Sequence, residues 1–213
     1  MDITKLTGAL IVSAYRTKGY ILRTDPDFLN LFGIRANKPD TNTFQDGVGW
    51  MTFDGTNWIW KIYPATTEPG FYYLENPMNV EGTHILVPGQ YLDSHMLGLH
   101  KQEYEAFVQC GKMSFYTDNN KNDVVDMNPD TIVALQSAGV DIHRANPDQT
   151  STVVGKWSAA CQVVADPVNF AEMISMAHKH TAIYPNLFSY TLFDELDVFP
   201  EVISAVPTLG PIS

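Results

Sequence analysis

Cysteine is scarce in this chain, basic charge is in deficit, and long apolar runs are missing. The 213 residues include two cysteines, Cys110 and Cys161, too few for a disulfide-stapled scaffold. Thirteen Lys and Arg stand against 24 Asp and Glu, giving a formal charge of −11. A nucleic-acid partner is therefore not expected, because binding to phosphates would begin against repulsion. No apolar run approaches the ~18 residues of a membrane span, so no span is expected. The short apolar run at residues 8–14 is preceded only by Lys5, a poor secretory signal, which predicts synthesis in the cytoplasm. Repeats, low-complexity tracts and linkers are also missing, and no spacing of His, Cys, Asp or Glu demands a metal or other cofactor.

What is present is enough for one sizeable core: 45% hydrophobic residues, 12% aromatic, with 14 Gly and 13 Pro as punctuation. The pattern predicts a mainly β (α+β) core with one or two short helices. Residues 50–53 and 58–63 flank Asp54-Gly55-Thr56-Asn57, a hairpin signal in which Gly tolerates positive φ. Further strands are expected at 71–74, 83–87, 104–109, 112–116, 140–143 and 187–193. The clearest helix follows Asp166-Pro167, with Phe170, Ile174 and Ala177 along one face. A short helix is expected around 26–32. The domain reading is an N-terminal extension (1–45), a central domain (46–180) and a C-terminal extension (181–213).

Chemistry concentrates between residues 139 and 164. His143 ends the alternating segment Val140-Asp141-Ile142-His143, and Cys161 follows 18 residues later, after a Gly-containing turn. This spacing allows two adjacent strands joined by a long loop, both side chains facing one cleft. A thiol becomes a good nucleophile when an imidazole accepts its proton, and such a neighbour is expected to lower the thiol pKa below ~8.5. Cys110, following Tyr104-Glu105-Ala106-Phe107-Val108, reads instead as a buried structural thiol.

Ile142-His143, then Gly155, then Ser158-Ala159-Ala160-Cys161 resembles the signature of the L,D-transpeptidase (YkuD-type) catalytic domain: apolar-His, a loop, Gly, then Ser-x-Gly-Cys. Thr66-Thr67-Glu68-Pro69-Gly70-Phe71 is similar to that family's Thr-Pro-x-Gly-x-Phe stretch. The likeness covers roughly residues 60–176, and its intervening region, with His100 and Tyr104, is similar to phage-type relatives. The chain departs from the pattern at Ala160 (Gly in the family), Ala159 (often His), Arg144 (Gly or Ser) and Gln162 (often Arg).

The resemblance implies a β-sandwich or barrel core and a catalytic set of Cys161, His143 and Ser158. Cys161 attacks a peptide carbonyl, His143 serves as base and then acid, and Ala160 and Cys161 N–H groups receive the oxyanion. Arg144, Gly155 and His100 join the substrate or oxyanion side, Arg144 as a partner for a stem-peptide carboxylate. It implies a peptidoglycan peptide as substrate, other phage virion proteins as further partners, and action at the bacterial cell wall. Hydrolysis by a phage lysis or virion-associated enzyme is the first reading. True L,D-transpeptidation and a non-catalytic structural or wall-binding protein on the same fold are the alternatives.

Other constellations have bland readings. Residues 118–126 space oxygen ligands as calcium loops do, but lack their Gly and final Glu, so a polar loop is expected. His178-Lys179-His180 suits a helix C-terminus. His84 and His95 lack paired ligand spacing, and Trp50, Trp58, Trp60 and Tyr63 read as β core.

Overall fold

In the computed structural model, which describes residues 1–38 and 40–200, eight strands close into a barrel and three form a smaller sheet. The strands are β1 (Asn30–Arg35), β2 (Asp46–Phe53), β3 (Trp58–Thr66), β4 (Thr83–Leu86), β5 (Gly89–His100) and β6 (Tyr104–Gln109), then β7 (Met113–Asp118), β8 (Val133–Leu135), β9 (Ile142–Arg144), β10 (Gln162–Val164) and β11 (Phe188–Asp194). Barrel order is β1-β11-β5-β6-β9-β10-β3-β2, closed by β2 against β1; the second sheet runs β4-β7-β8. Helices are α1 (Gly8–Lys18), α2 (Phe71–Glu75), α3 (Pro167–Thr181) and α4 (Glu195–Val198). The mainly β, α+β expectation therefore holds.

Local chemistry explains the elements that hold the barrel. In the β2–β3 turn, Asp54 Oδ1 accepts the N–H groups of Thr56 (2.8 Å) and Asn57 (2.7 Å), while Gly55 takes φ +95°. Along β3 the aromatic residues alternate: Tyr63 enters the barrel interior, where its hydroxyl accepts from Trp50 Nε1 at 3.2 Å. Trp58, Trp60 and Ile62 instead pack outward on the second cluster, which includes Ile11 and Tyr15 of α1. That helix is capped by Thr7 Oγ1 and stopped by Gly19 at φ +68°. Asp166 caps α3 by accepting from Val168 and Asn169 N–H, and Phe170, Met173 and Ala177 bury one face.

Several expectations need correction. Residues 71–74 form α2, not a strand, because Tyr73 and Leu74 N–H groups turn back onto the Gly70 carbonyl; tertiary position overrides the β preference of aromatic residues. Residues 26–32 do not form a helix, since Leu31 and Phe32 lie in β1, parallel to Tyr190 and Thr191. This strand is buried throughout, its faces serving the interior and the α1 cluster, which removes the alternation a sequence reader looks for. The three-part division also fails as a description of packing. Residues 1–45 supply β1 and residues 181–200 supply β11, which are hydrogen-bonded neighbours within the closed barrel. Residues 201–213 of the expected C-terminal extension lie outside the described residues.

Three charged residues are buried where β1, β2 and the segment after β3 meet. Arg35 Nη2 donates to the Thr67 carbonyl at 2.7 Å and Nη1 to the Leu86 carbonyl at 2.8 Å. Asp46 accepts from Ala36 N–H and from both Thr67 N–H and its hydroxyl, each at 2.8 Å. Glu68 Oε1 lies 3.6 Å from Arg35 Nε without a hydrogen bond among the described residues. Desolvation and the neighbouring Asp46 outweigh Arg35 and push the Glu68 carboxyl up to about 8.

A carboxyl whose folded pKa is raised holds its proton more tightly in the native state. Its stabilising contribution is complete below the unfolded value and is lost as pH rises toward 8. Between pH 5 and 9 the wild-type Tm is expected to fall further than that of Glu68→Gln, by at least about 3 °C, the scale of ~1 kcal/mol in a domain this size. Scanning calorimetry at both pH values checks this; equal losses would contradict it.

Candidate active site

Cys161 and His143 reach the same cleft because β9 and β10 are adjacent and parallel, with Val163 beside His143 and Gln162 beside Ile142. A parallel pair cannot be joined by a tight turn; here the crossover is the loop of residues 145–161. Side-chain alternation then sorts the residues. Ile142, Ala160 and Val164 join the barrel core, while Cys161 and Val163 pack outside it with Ala145. His100, Asp141, His143, Trp157, Ala160 and Cys161 line a cleft of about 310 Å³ on that outer side.

The loop is pinned at several points. Val154 N–H donates to the Asn42 carbonyl at 3.0 Å and Gly70 N–H to the Ser158 carbonyl at 2.9 Å. Gly155 adopts φ +50°, and a Cβ on Gly70 would collide with the Gly155 carbonyl, so both glycines answer to backbone geometry. Ser158 is fully buried and its hydroxyl donates to the Cys161 carbonyl at 2.8 Å. It therefore holds the loop that carries Cys161 and does not line the cleft, a correction to its expected catalytic place. Gly155 likewise shapes the loop and does not line the cleft.

Arg144 departs from expectation too. Its guanidinium stacks over the Tyr104 ring at 4.0 Å and Nη1 donates to the Ala145 carbonyl at 3.3 Å; the side chain does not line the cleft. Its backbone carries the useful contact. His143 Nδ1 lies 2.7 Å from the Arg144 carbonyl, which only accepts, so Nδ1 bears the proton and Nε2 the lone pair. Tyr104, whose hydroxyl burial raises to about 12, donates to the same carbonyl at 3.2 Å. Ala160 is not among the residues with positive φ, so the alanine fits its backbone without strain. Among the described residues neither Ala160 N–H nor Cys161 N–H makes a hydrogen bond.

Two groups in the cleft extend the predicted set. His100 is 6% exposed, its Nδ1 is 2.8 Å from Asp141 Oδ2, and its ring stacks on His143 with centroids 4.1 Å apart. Asp141 escaped the sequence reading, although the alternation in Val140-Asp141-Ile142-His143 sets it on the same face as His143. His84 lines another part of the same cleft beside Phe115, and the remaining three histidines have separate settings. His95 is buried against Ser94 and the Val140 carbonyl, His180 Nδ1 accepts from Leu29 N–H, and His178 meets Glu105 at 3.1 Å. Among the described residues no group of three metal-ligating side chains forms.

The two cysteines exchange the environments expected of them. Cys161 is 9% exposed, with Sγ 3.6 Å from the Gly139 carbonyl, whereas Cys110 is half-buried beyond the end of β6. Burial pushes the Cys161 thiol up to about 12, although Asp141 N–H pulls the other way. Desolvation, then the adjacent His100, push His143 down to about 3. The cleft thus holds a neutral thiol and a neutral imidazole, not the thiolate with lowered pKa expected from their spacing.

Near neutral pH iodoacetamide is accordingly expected to label Cys110 before Cys161. Labelling of Cys161 should rise about tenfold per pH unit up to pH 10 without a plateau. Mass spectrometry of timed samples checks both; a Cys161 rate already saturated at pH 7 would mean a preformed thiolate. Compared with protein-family models, curated proteins and solved structures, the chain matches none.

Proposed function

We propose that this chain is a cysteine-dependent enzyme acting on peptidoglycan stem peptides through a thioester acyl-enzyme, with hydrolysis as its outcome. The observation that carries the reading is Cys161 and His143 on one cleft with the imidazole tautomer fixed by the Arg144 carbonyl. His143 Nε2 takes the thiol proton as Sγ attacks the peptide carbonyl, and gives it to the leaving amine as the C–N bond breaks. The free Ala160 and Cys161 N–H groups receive the oxyanion, each such donor being worth about 3 kcal/mol in a dry site. Peptidoglycan as substrate, and a phage lysis or virion setting, rest on the sequence resemblance. Hydrolysis is preferred to L,D-transpeptidation because water needs no second peptide seat beside a cleft of about 310 Å³.

One observation favours a different class. A buried thiol of raised pKa, held against a carbonyl, is also what a structural cysteine looks like. On that reading the chain is a wall-binding or virion structural protein. Incubation with purified muropeptides separates the two: the wild type should change their masses and Cys161→Ala should not. Wall pull-down by both proteins with no mass change would favour the structural reading.

The pH dependence follows with its sign. His143 must be neutral to accept the proton, and with its pKa near 3 it is neutral throughout pH 5–8. For a carboxylic ester substrate kcat/KM, which reports acylation, should therefore show no acid limb from His143 in that range. An inflection between pH 6 and 7 in kcat/KM would contradict this environment for the base.

A further inference from the structure

Of the three imidazoles lining this cleft, His84 packs beside Phe115, whereas His100 and His143 stack on each other and are not equivalent. His143 faces the Arg144 carbonyl, a dipole that fixes its tautomer but offers little to a full positive charge. His100 faces the Asp141 carboxylate at 2.8 Å, which stabilises an imidazolium directly. Asp141 is itself held, its Oδ1 accepting from Gln109 N–H at 3.0 Å. With Nδ1 engaged by the carboxylate, His100 keeps Nε2 for other partners. The arrangement is that of a general base oriented by an acid. The groups facing His100 are Asp141, the stacked His143, Tyr104 across the β5–β6 hairpin at a centroid distance of 5.5 Å, its chain neighbour Lys101, and Cys161 within the same cleft.

Resting on the thioester mechanism above, we propose that His100, oriented by Asp141, is a second catalytic imidazole that takes the proton from the water resolving the acyl-enzyme. His143 then serves the thiol and the leaving amine, and leaves that exchange neutral. In the second step the water oxygen bonds to the thioester carbon and one of its protons passes to His100 Nε2. The tetrahedral intermediate collapses, the C–S bond breaks, and the Cys161 thiolate takes back the proton held on His100. The products are the free acid and the thiol. Stacking at 4.1 Å opposes charge on both rings at once, so a division of labour suits the pair better than simultaneous protonation.

p-Nitrophenyl acetate tests this without knowledge of the natural substrate, because kcat/KM reports acetylation and kcat reports deacetylation when that step is slow. His100→Gln should release one p-nitrophenolate per site in a burst and retain acetyl-Cys161 by peptide mass spectrometry. Its kcat should fall about 100-fold, the scale of a lost general base, with kcat/KM within about threefold of wild type. Asp141→Asn leaves His100 in place and should show the same split more weakly, which decides the matter if the first variant does not fold. An unchanged kcat, or kcat/KM falling in step with kcat, would overturn the assignment while leaving Cys161 as nucleophile. Failure of the wild type to become acetylated at Cys161 would overturn the thioester mechanism and this inference together.

Discussion

Parallel pairing of β9 with β10 is the constraint on which the site depends. Only three residues of each strand take part, Ile142–Arg144 and Gln162–Val164, yet the pairing fixes which side chains face outward together. Because the strands run in the same direction, a long crossover is compulsory, and that crossover is the loop delivering Cys161. A one-residue slip would turn His143 into the barrel and Ile142 out of it. Gln162 guards against the slip from inside: its Oε1 accepts from the buried Tyr190 hydroxyl at 3.0 Å and its Nε2 donates to the Ala160 carbonyl at 3.2 Å. Gln162 thus belongs to the core that holds the strand.

A second chain of contacts ties the loop to the far side of the barrel. Arg35 of β1 and Asp46 of β2 both grip Thr67, three residues before Gly70, whose N–H holds the Ser158 carbonyl. Ser158 in turn holds the Cys161 carbonyl. Removing one member of a buried charged cluster typically costs about 3–5 kcal/mol, because it strands the charge left behind. The charged cluster therefore acts as a fixed point for the segment that holds the loop carrying Cys161. This is also why residues before 46 cannot be treated as decoration.

The β2–β3 hairpin, the α3 cap and the strand at 104–109 were legible because each carries a local signal: an Asp-Gly turn, Asp-Pro at a helix start, a short apolar run bounded by Gly. Strand β1 was not legible, since burial on both faces erases the alternation that distinguishes strand from helix. Residues 71–74 misled for the opposite reason, having strand-like composition and a turn imposed by Gly70. Within the site, the Cys161–His143 juxtaposition followed from motif spacing. The protonation states did not, because they depend on burial beside the barrel wall, which no spacing records. Asp141 was within reach of period-two reasoning; the Tyr104 contact with the Arg144 carbonyl depends on how the β5–β6 hairpin sits against β9, which only the fold shows.

In the cleft Cys161 and His143 rest as a neutral thiol and a neutral imidazole protonated on Nδ1 alone. Long-range proton–nitrogen correlation NMR on protein labelled at histidine nitrogen observes this directly, with assignment from His143→Gln. His143 is expected to keep a protonated Nδ1 and an unprotonated Nε2 from pH 5 to 8, in wild type and in Cys161→Ala alike. A doubly protonated His143 near pH 7 that becomes neutral in Cys161→Ala would reveal a thiolate–imidazolium pair and contradict it.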